Sequence, residues 1–192
     1  MSPFAALSYS LQKKLIMKPV VLRYGIYGLL AILVLACLHV FWLMPPNISW
    51  EAAEVVGYLT MILSMIFVFM GIRHYRDHMN SGFLTFGEGL KVGVLIVLFP
   101  AISFGLFDVL YTEVLHPSWA DEYFGYQIEK IKASTPPDLV GQKLEKMQKD
   151  KETFGNPAFQ FLLMAGTVFI IGLIVTIISA LTLRRAKPAT AA

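Results

Sequence analysis

The chain has 192 residues, of which 56% are hydrophobic and only 15% charged, and its mean hydropathy is +0.63. Soluble domains carry about 25% charged residues, so this composition excludes that class and favours one membrane domain. The net charge of +3 is modest, and its uneven placement says more than its size.

Residues 1–20 read as an N-terminal cytoplasmic segment. They carry Lys13, Lys14 and Lys18 but no short apolar core or small-residue cleavage site, so no cleaved signal is expected. Met17, followed by Lys18 and Pro19, offers a second conventional start just ahead of the first span. Residues 21–187 form the membrane domain, with apolar runs at about 21–44, 52–72, 90–112 and 159–183, each long enough to cross the ~30 Å hydrocarbon core of a bilayer. Residues 188–192 are a tail.

The connections carry their own signals. Pro45 and Pro46 end the first run, because neither donates a backbone hydrogen bond and each pushes its predecessor out of helix. Arg73, His74, Arg76 and Asp77 form a charged cap on the second run, and Thr85-x-x-Glu88 is a capping box opening the third, with Lys91 close behind. Residues 113–157 then leave the membrane. Two more candidate boxes, Ser118-x-x-Asp121 and Thr135-Pro136-Pro137-Asp138, predict helices at about 119–132 and 136–152. The second is amphipathic, with Val140, Leu144, Met147 and Phe154 opposite a Lys/Glu/Gln face, and it ends at Gly155-Asn156-Pro157. The expected fold is therefore all-α: a four-transmembrane-helix bundle with an extracytoplasmic helical hairpin between spans three and four. Trp119, Tyr123 and Tyr126 are placed at headgroup depth.

Small residues recur on one face of each span. Gly25, Gly28, Ala36 and His39 share a face of the first, Gly57, Thr60, Ser64 and Gly71 of the second, Gly89, Gly93, Ala101 and Gly105 of the third, and Ala165, Gly172, Thr176 and Ser179 of the fourth. Such faces let helix backbones approach closely, and close packing holds helices together in lipid. A tight bundle without a pore accounts for most of this pattern.

Charge sets the orientation. Lys13, Lys14, Lys18, Arg23, Arg73, Arg76, Lys91, Arg184, Arg185 and Lys187 fall on one side, against only Asp77 and Glu88. The other side has Glu51 and Glu54 in its short loop, and six lysines against eight acids in its long one. The positive-inside rule places both termini in the cytoplasm, with the six loop lysines as its one dissonant count.

Motifs for chemistry are sparse. His74 and His78 are four apart and could share a metal, but they have no third ligand and sit in an Arg-rich cap, so an interfacial role is preferred. Phe86-Gly87-Glu88-Gly89-Leu90-Lys91 lacks the Gly-Lys-Ser/Thr ending of a phosphate cradle. A membrane haem needs facing axial ligands, and only His39 lies within a span. Cys37 stands alone inside a span, where it cannot form an intramolecular disulfide. Neither His-Glu-x-x-His nor Gly-x-Ser-x-Gly occurs. No catalytic residue, metal or cofactor is assigned.

Gly71-Ile72-Arg73-His74-Tyr75-Arg76-Asp77, followed by Gly82-Phe83-Leu84-Thr85-Phe86-Gly87-Glu88-Gly89-Leu90-Lys91-Val92-Gly93, resembles the hallmark of a bacterial four-span membrane family catalogued as a domain of unknown function, the four-one-nine-nine group. The resemblance runs from about Met17 to Arg185. It implies a multi-pass protein of the bacterial inner membrane and supplies no activity.

The favoured function is that of a non-enzymatic accessory or interaction protein. Its expected partners are the lipid bilayer and either a second copy or another membrane or periplasmic protein, with no nucleic acid. The alternative is a proton- or ion-coupled transporter or channel using His39 and Asp108, and a membrane enzyme ranks third. His39 lies five residues before Met44 and Asp108 four before Thr112, so both are expected roughly 6 to 8 Å below the same interface. Equal depth on small-residue faces predicts that they approach each other, with Tyr111 or Ser103 as a neighbour.

Overall fold

The computed structural model describes residues 3–186, with side chains from Ile16 onward. Lys187 and the tail at 188–192 lie outside the described residues. Helix α1 runs without interruption over Pro3–Trp42, so residues 3–20 are helical and continuous with the first span. Proline fits its first turn, where the missing N–H would have no helical partner. The end at Trp42 precedes the two prolines by three residues, and Asn47 Nδ2 donates to the Trp42 carbonyl at 3.3 Å. That amide satisfies a carbonyl left open by the end of the helix.

The second run is broken. Helix α2 (Trp50–Ser64) starts at Ser49, whose hydroxyl accepts from the Ala52 amide, and it stops at Met65 before α3 (Ile66–His74) and a π-helical turn at Tyr75–Met79. Neither proline nor glycine marks the break. At the break the Met65 amide donates three residues back, to the Ile62 carbonyl at 3.0 Å, and Ser64 beside it donates its hydroxyl to the Met61 carbonyl at 2.6 Å.

Helix α4 (Phe86–Leu110) opens with the predicted box: Thr85 N–H donates to Glu88 Oε2 at 2.8 Å, and Glu88 N–H to Thr85 Oγ1 at 3.3 Å. A second π-helical turn, Tyr111–Leu115, extends it. Helices α5 (Trp119–Ser134), α6 (Pro137–Phe154) and α7 (Pro157–Leu183) complete the chain. Asn156 caps α7 by accepting from the Ala158 and Phe159 amides.

The other two predicted boxes do not form. Ser118 is already in the right-handed helical region (φ −79°, ψ −8°), so its hydroxyl is not aimed at the first-turn amides and donates to Glu122 instead. Thr135 ends α5, with its Oγ1 accepting from Lys143, and Pro136 occupies the start of α6.

Four stretches among the described residues are long and apolar enough to cross a membrane: Ile16–Trp42, Trp50–Met79, Phe86–Leu115 and Pro157–Leu183. Their outward side chains are large and apolar, with Val34 59%, Leu63 62% and Leu162 67% exposed. In water such surface would be a liability; in lipid it is solvated. The chain is an all-α, multi-pass membrane protein.

The chain divides into two compact units, Met1–Ser103 with Thr167–Ala192, and Phe104–Gly166. In the first, α1 packs along α2 and α3. Its core holds Ile32, Met65, Ile72, Ile96, Val97 and Val168, each with no exposed surface. A methyl group on Gly93 would collide with Thr176 and Ile72, one on Gly172 with Val97, one on Gly89 with Ala180, and one on Gly25 with Phe99. Gly28 faces Pro100 at ordinary contact distance, and Ala101 and Ser64 are buried. In the second unit α5 packs on α6. Trp119 and Phe124 each bring their ring against Phe154, at 5.9 and 6.0 Å, and Lys151 pairs with Asp121 at 2.6 Å.

Candidate functional site

A buried polar cluster within a membrane-crossing stretch lies in the second unit. Asp108, one turn from the end of α4, accepts from Gln160 Nε2 at 2.7 Å, and the same amide nitrogen donates to Thr112 Oγ1. Thr112 in turn donates to the Asp108 carbonyl at 3.1 Å. Gln160 is 1% exposed and lies in the first turn of α7. Its reach depends on Gly105, where a methyl group would come within 2.9 Å of the Phe161 carbonyl oxygen and 3.0 Å of the Ala165 side chain.

Equal depth predicts His39 beside Asp108; within its own unit the carboxylate accepts from Gln160. Sequence reasoning passed over Gln160, although it is the only side-chain amide in the run Phe159–Leu183, and an amide in such a run needs a partner as a carboxylate does. His39 has its own surroundings in the first unit. It faces Gly57, at which an added methyl would lie 3.2 Å from its Cε1, and its Nε2 is buried with no hydrogen-bond partner. Ser103, the other expected neighbour, donates to the Pro100 carbonyl.

Tyr111 starts a second polar chain. Its hydroxyl lies 3.0 Å from His116 Nδ1, and His116 Nε2 lies 3.1 Å from Glu122 Oε1. A carboxylate only accepts, so the imidazole donates from Nε2, and in its neutral form accepts the tyrosine hydroxyl at Nδ1. Ser118 also donates to Glu122 Oε1, at 2.6 Å. That hydroxyl, helped by His116, holds the Glu122 carboxyl below its ordinary range. Tyr111 and Thr112 are adjacent, so the two polar chains share the first residues of the π-helical turn.

Beside them lies a cleft of about 490 Å³ between α5, α6 and the first turns of α7. Trp119 stacks flat on Tyr123 at 5.2 Å along one wall. The charged cap lies in the first unit. Arg76 is bidentate to Asp77, at 2.6 and 3.1 Å, and its remaining nitrogen donates to the Leu183 carbonyl at 3.4 Å. Arg73 adds a 3.6 Å contact to Asp77. Asn80 donates to Glu88 and to the Phe83 carbonyl, and Leu84 exchanges two backbone bonds with Arg185. His74 stacks on His78 at 4.4 Å, and Lys91 is exposed. Among the described residues, no three His, Cys, Asp or Glu side chains are grouped to hold a metal.

The model of the family described as Protein of unknown function (DUF4199) matches residues 23–185. The chain belongs to that family. No curated protein and no solved structure matches it. The match encloses the charged cap, both polar chains and the cleft.

Proposed function

We propose that this chain is a non-enzymatic accessory protein of the bacterial inner membrane, with both termini in the cytoplasm and α5–α6 presented outside as the surface that engages another membrane or periplasmic protein or a second copy. The observation that carries the reading is the filled interior of the first unit, where Ile32, Met65, Ile72, Ile96, Val97 and Val168 have no exposed surface. Hydroxyls in the spans turn to their own helices, Thr60 to the Gly57 carbonyl, Ser64 to Met61 and Thr176 to Gly172, and so do not line a wet path. By contrast α6 presents an outward face of exposed polar side chains, among them Lys143, Glu145, Lys146 and Lys149.

Asp108 supports the alternative, a proton-coupled transporter, because a carboxyl within a span is uncommon and usually functional. Two measurements on the purified chain and in cells separate the readings. Vesicles containing the protein are expected to show no proton or cation flux above empty vesicles, and a photo-crosslinker at Lys146 is expected to trap one recurrent partner in intact cells. Flux that Asp108→Asn abolishes would establish the transporter instead.

A further inference from the structure

We infer that the cleft between α5, α6 and the start of α7 is a lipid site that holds one acyl chain of a membrane phospholipid. The inference goes beyond the accessory role, which concerns the polar outward face of α6. Two features identify the occupant. The first is where the cleft begins: Phe159, Leu163 and Met164 form one wall, and all three belong to Pro157–Leu183, a stretch that crosses the membrane. Phe159 and Leu163 are 42% and 43% exposed, and Leu162 between them is 67% exposed. The cleft is thus continuous with surface that lipid already covers, and a hydrocarbon chain enters it without crossing water.

The second is the chemistry of its lining. Apolar Phe159, Leu163, Met164 and Met147 are joined by the aromatic Trp119 and Tyr123 and by the hydrogen-bonding Gln127 and Asp150. One lining thus offers hydrocarbon, aromatic faces and polar groups, the three environments that tail, interface and headgroup of a phospholipid occupy. The volume of about 490 Å³ lies in the roughly 300–1,000 Å³ range of small-molecule sites. An apolar cleft of this size is poorly filled by water. Lipid tails are as apolar as leucine, so the tail gains little by leaving the bilayer. Retention therefore comes from dispersion contacts with the aromatic faces and from a headgroup that donates to Asp150 or Gln127.

Native mass spectrometry of the chain released from phospholipid nanodiscs tests this. The wild type is expected to keep one phospholipid per chain. Leu163→Trp, which fills the cleft from α7, is expected to lower that occupancy about tenfold, as is Met147→Trp from the opposite wall. Leu162→Trp, on the same helix but outside the cleft, is expected to leave it unchanged. Circular dichroism identifies any variant that fails to fold, and either cleft variant alone then decides. Equal adducts in wild type and folded cleft variants would overturn the site, as would a graded series of adducts with no preferred one-to-one species. A lipid-free dimer that Leu163→Trp or Met147→Trp dissociates would assign the cleft to a second copy and equally overturn it.

Discussion

At the scale of single residues the clearest arrangement is the shared amide of Gln160. It joins α4 to α7 by donating to both Asp108 and Thr112. Side-chain hydrogen bonds between helices in lipid contribute about 0.6 kcal/mol on average and up to about 1.7 kcal/mol. Gln160→Leu is therefore expected to lower stability by about 1 kcal/mol, measured as thermal or denaturant unfolding in detergent. Asp108→Asn is expected to cost less, since its amide oxygen still accepts. If Gln160→Leu and Asp108→Leu add fully in a double-mutant cycle, the two side chains do not interact. The pH dependence follows from Glu122. Its carboxyl is lowered by Ser118, so the contact strengthens folding above the ordinary glutamate range, near ~4.3, and that contribution is lost as pH falls through the lowered value. Glu122 is about half exposed, so the effect is small and local: amide protection at the start of α5, relative to the intrinsic exchange rate at each pH, is expected to fall on acidification, and to fall less in Glu122→Gln. Asp108 was legible in the sequence as a functional candidate, but its partner was not, because the two residues are 52 positions apart and nothing local to either names the other.

At the scale of elements, apolar run length located the spans, and the Thr85–Glu88 box gave the start of α4 because both reciprocal bonds lie within four residues. Ser118 shows why the same pattern failed elsewhere. A box needs an extended backbone at the cap, and Ser118 is already helical. The break at Met65 was hidden for a related reason, since no proline or glycine marks it and the turn shows only in the Met65 amide bonding to Ile62 three residues back. The glycine faces make a testable contrast. Gly93→Leu is expected to destabilise the chain more than Leu95→Ala, because a side chain at 93 would displace Thr176 and Ile72 whereas Leu95 is 37% exposed. Gly57→Leu is expected to behave like Gly93→Leu, through His39. Equal melting temperatures in detergent would mean that these faces bear no packing.

At the scale of the whole molecule, orientation is the reading with the simplest check. With Cys37 replaced by serine, a cysteine at Tyr126 is expected to react with an impermeant thiol reagent added outside the cell, and one at His78 is not. The reverse pattern would invert the orientation. Composition made the membrane class legible, because it is a property of whole segments and survives local errors; the distribution of arginine and lysine supplies the expected orientation that this labelling tests. The backbone bridge between Leu84 and Arg185 belongs to no segment and left no trace in the pattern. It also imposes an order on synthesis. Leu84 emerges from the ribosome about a hundred residues before Arg185, its partner in the bridge, so α5, α6 and α7 must all be made while Leu84 waits for it. The clasp cannot close until Arg185 is made, and a fusion protein attached directly after Arg185 would obstruct it.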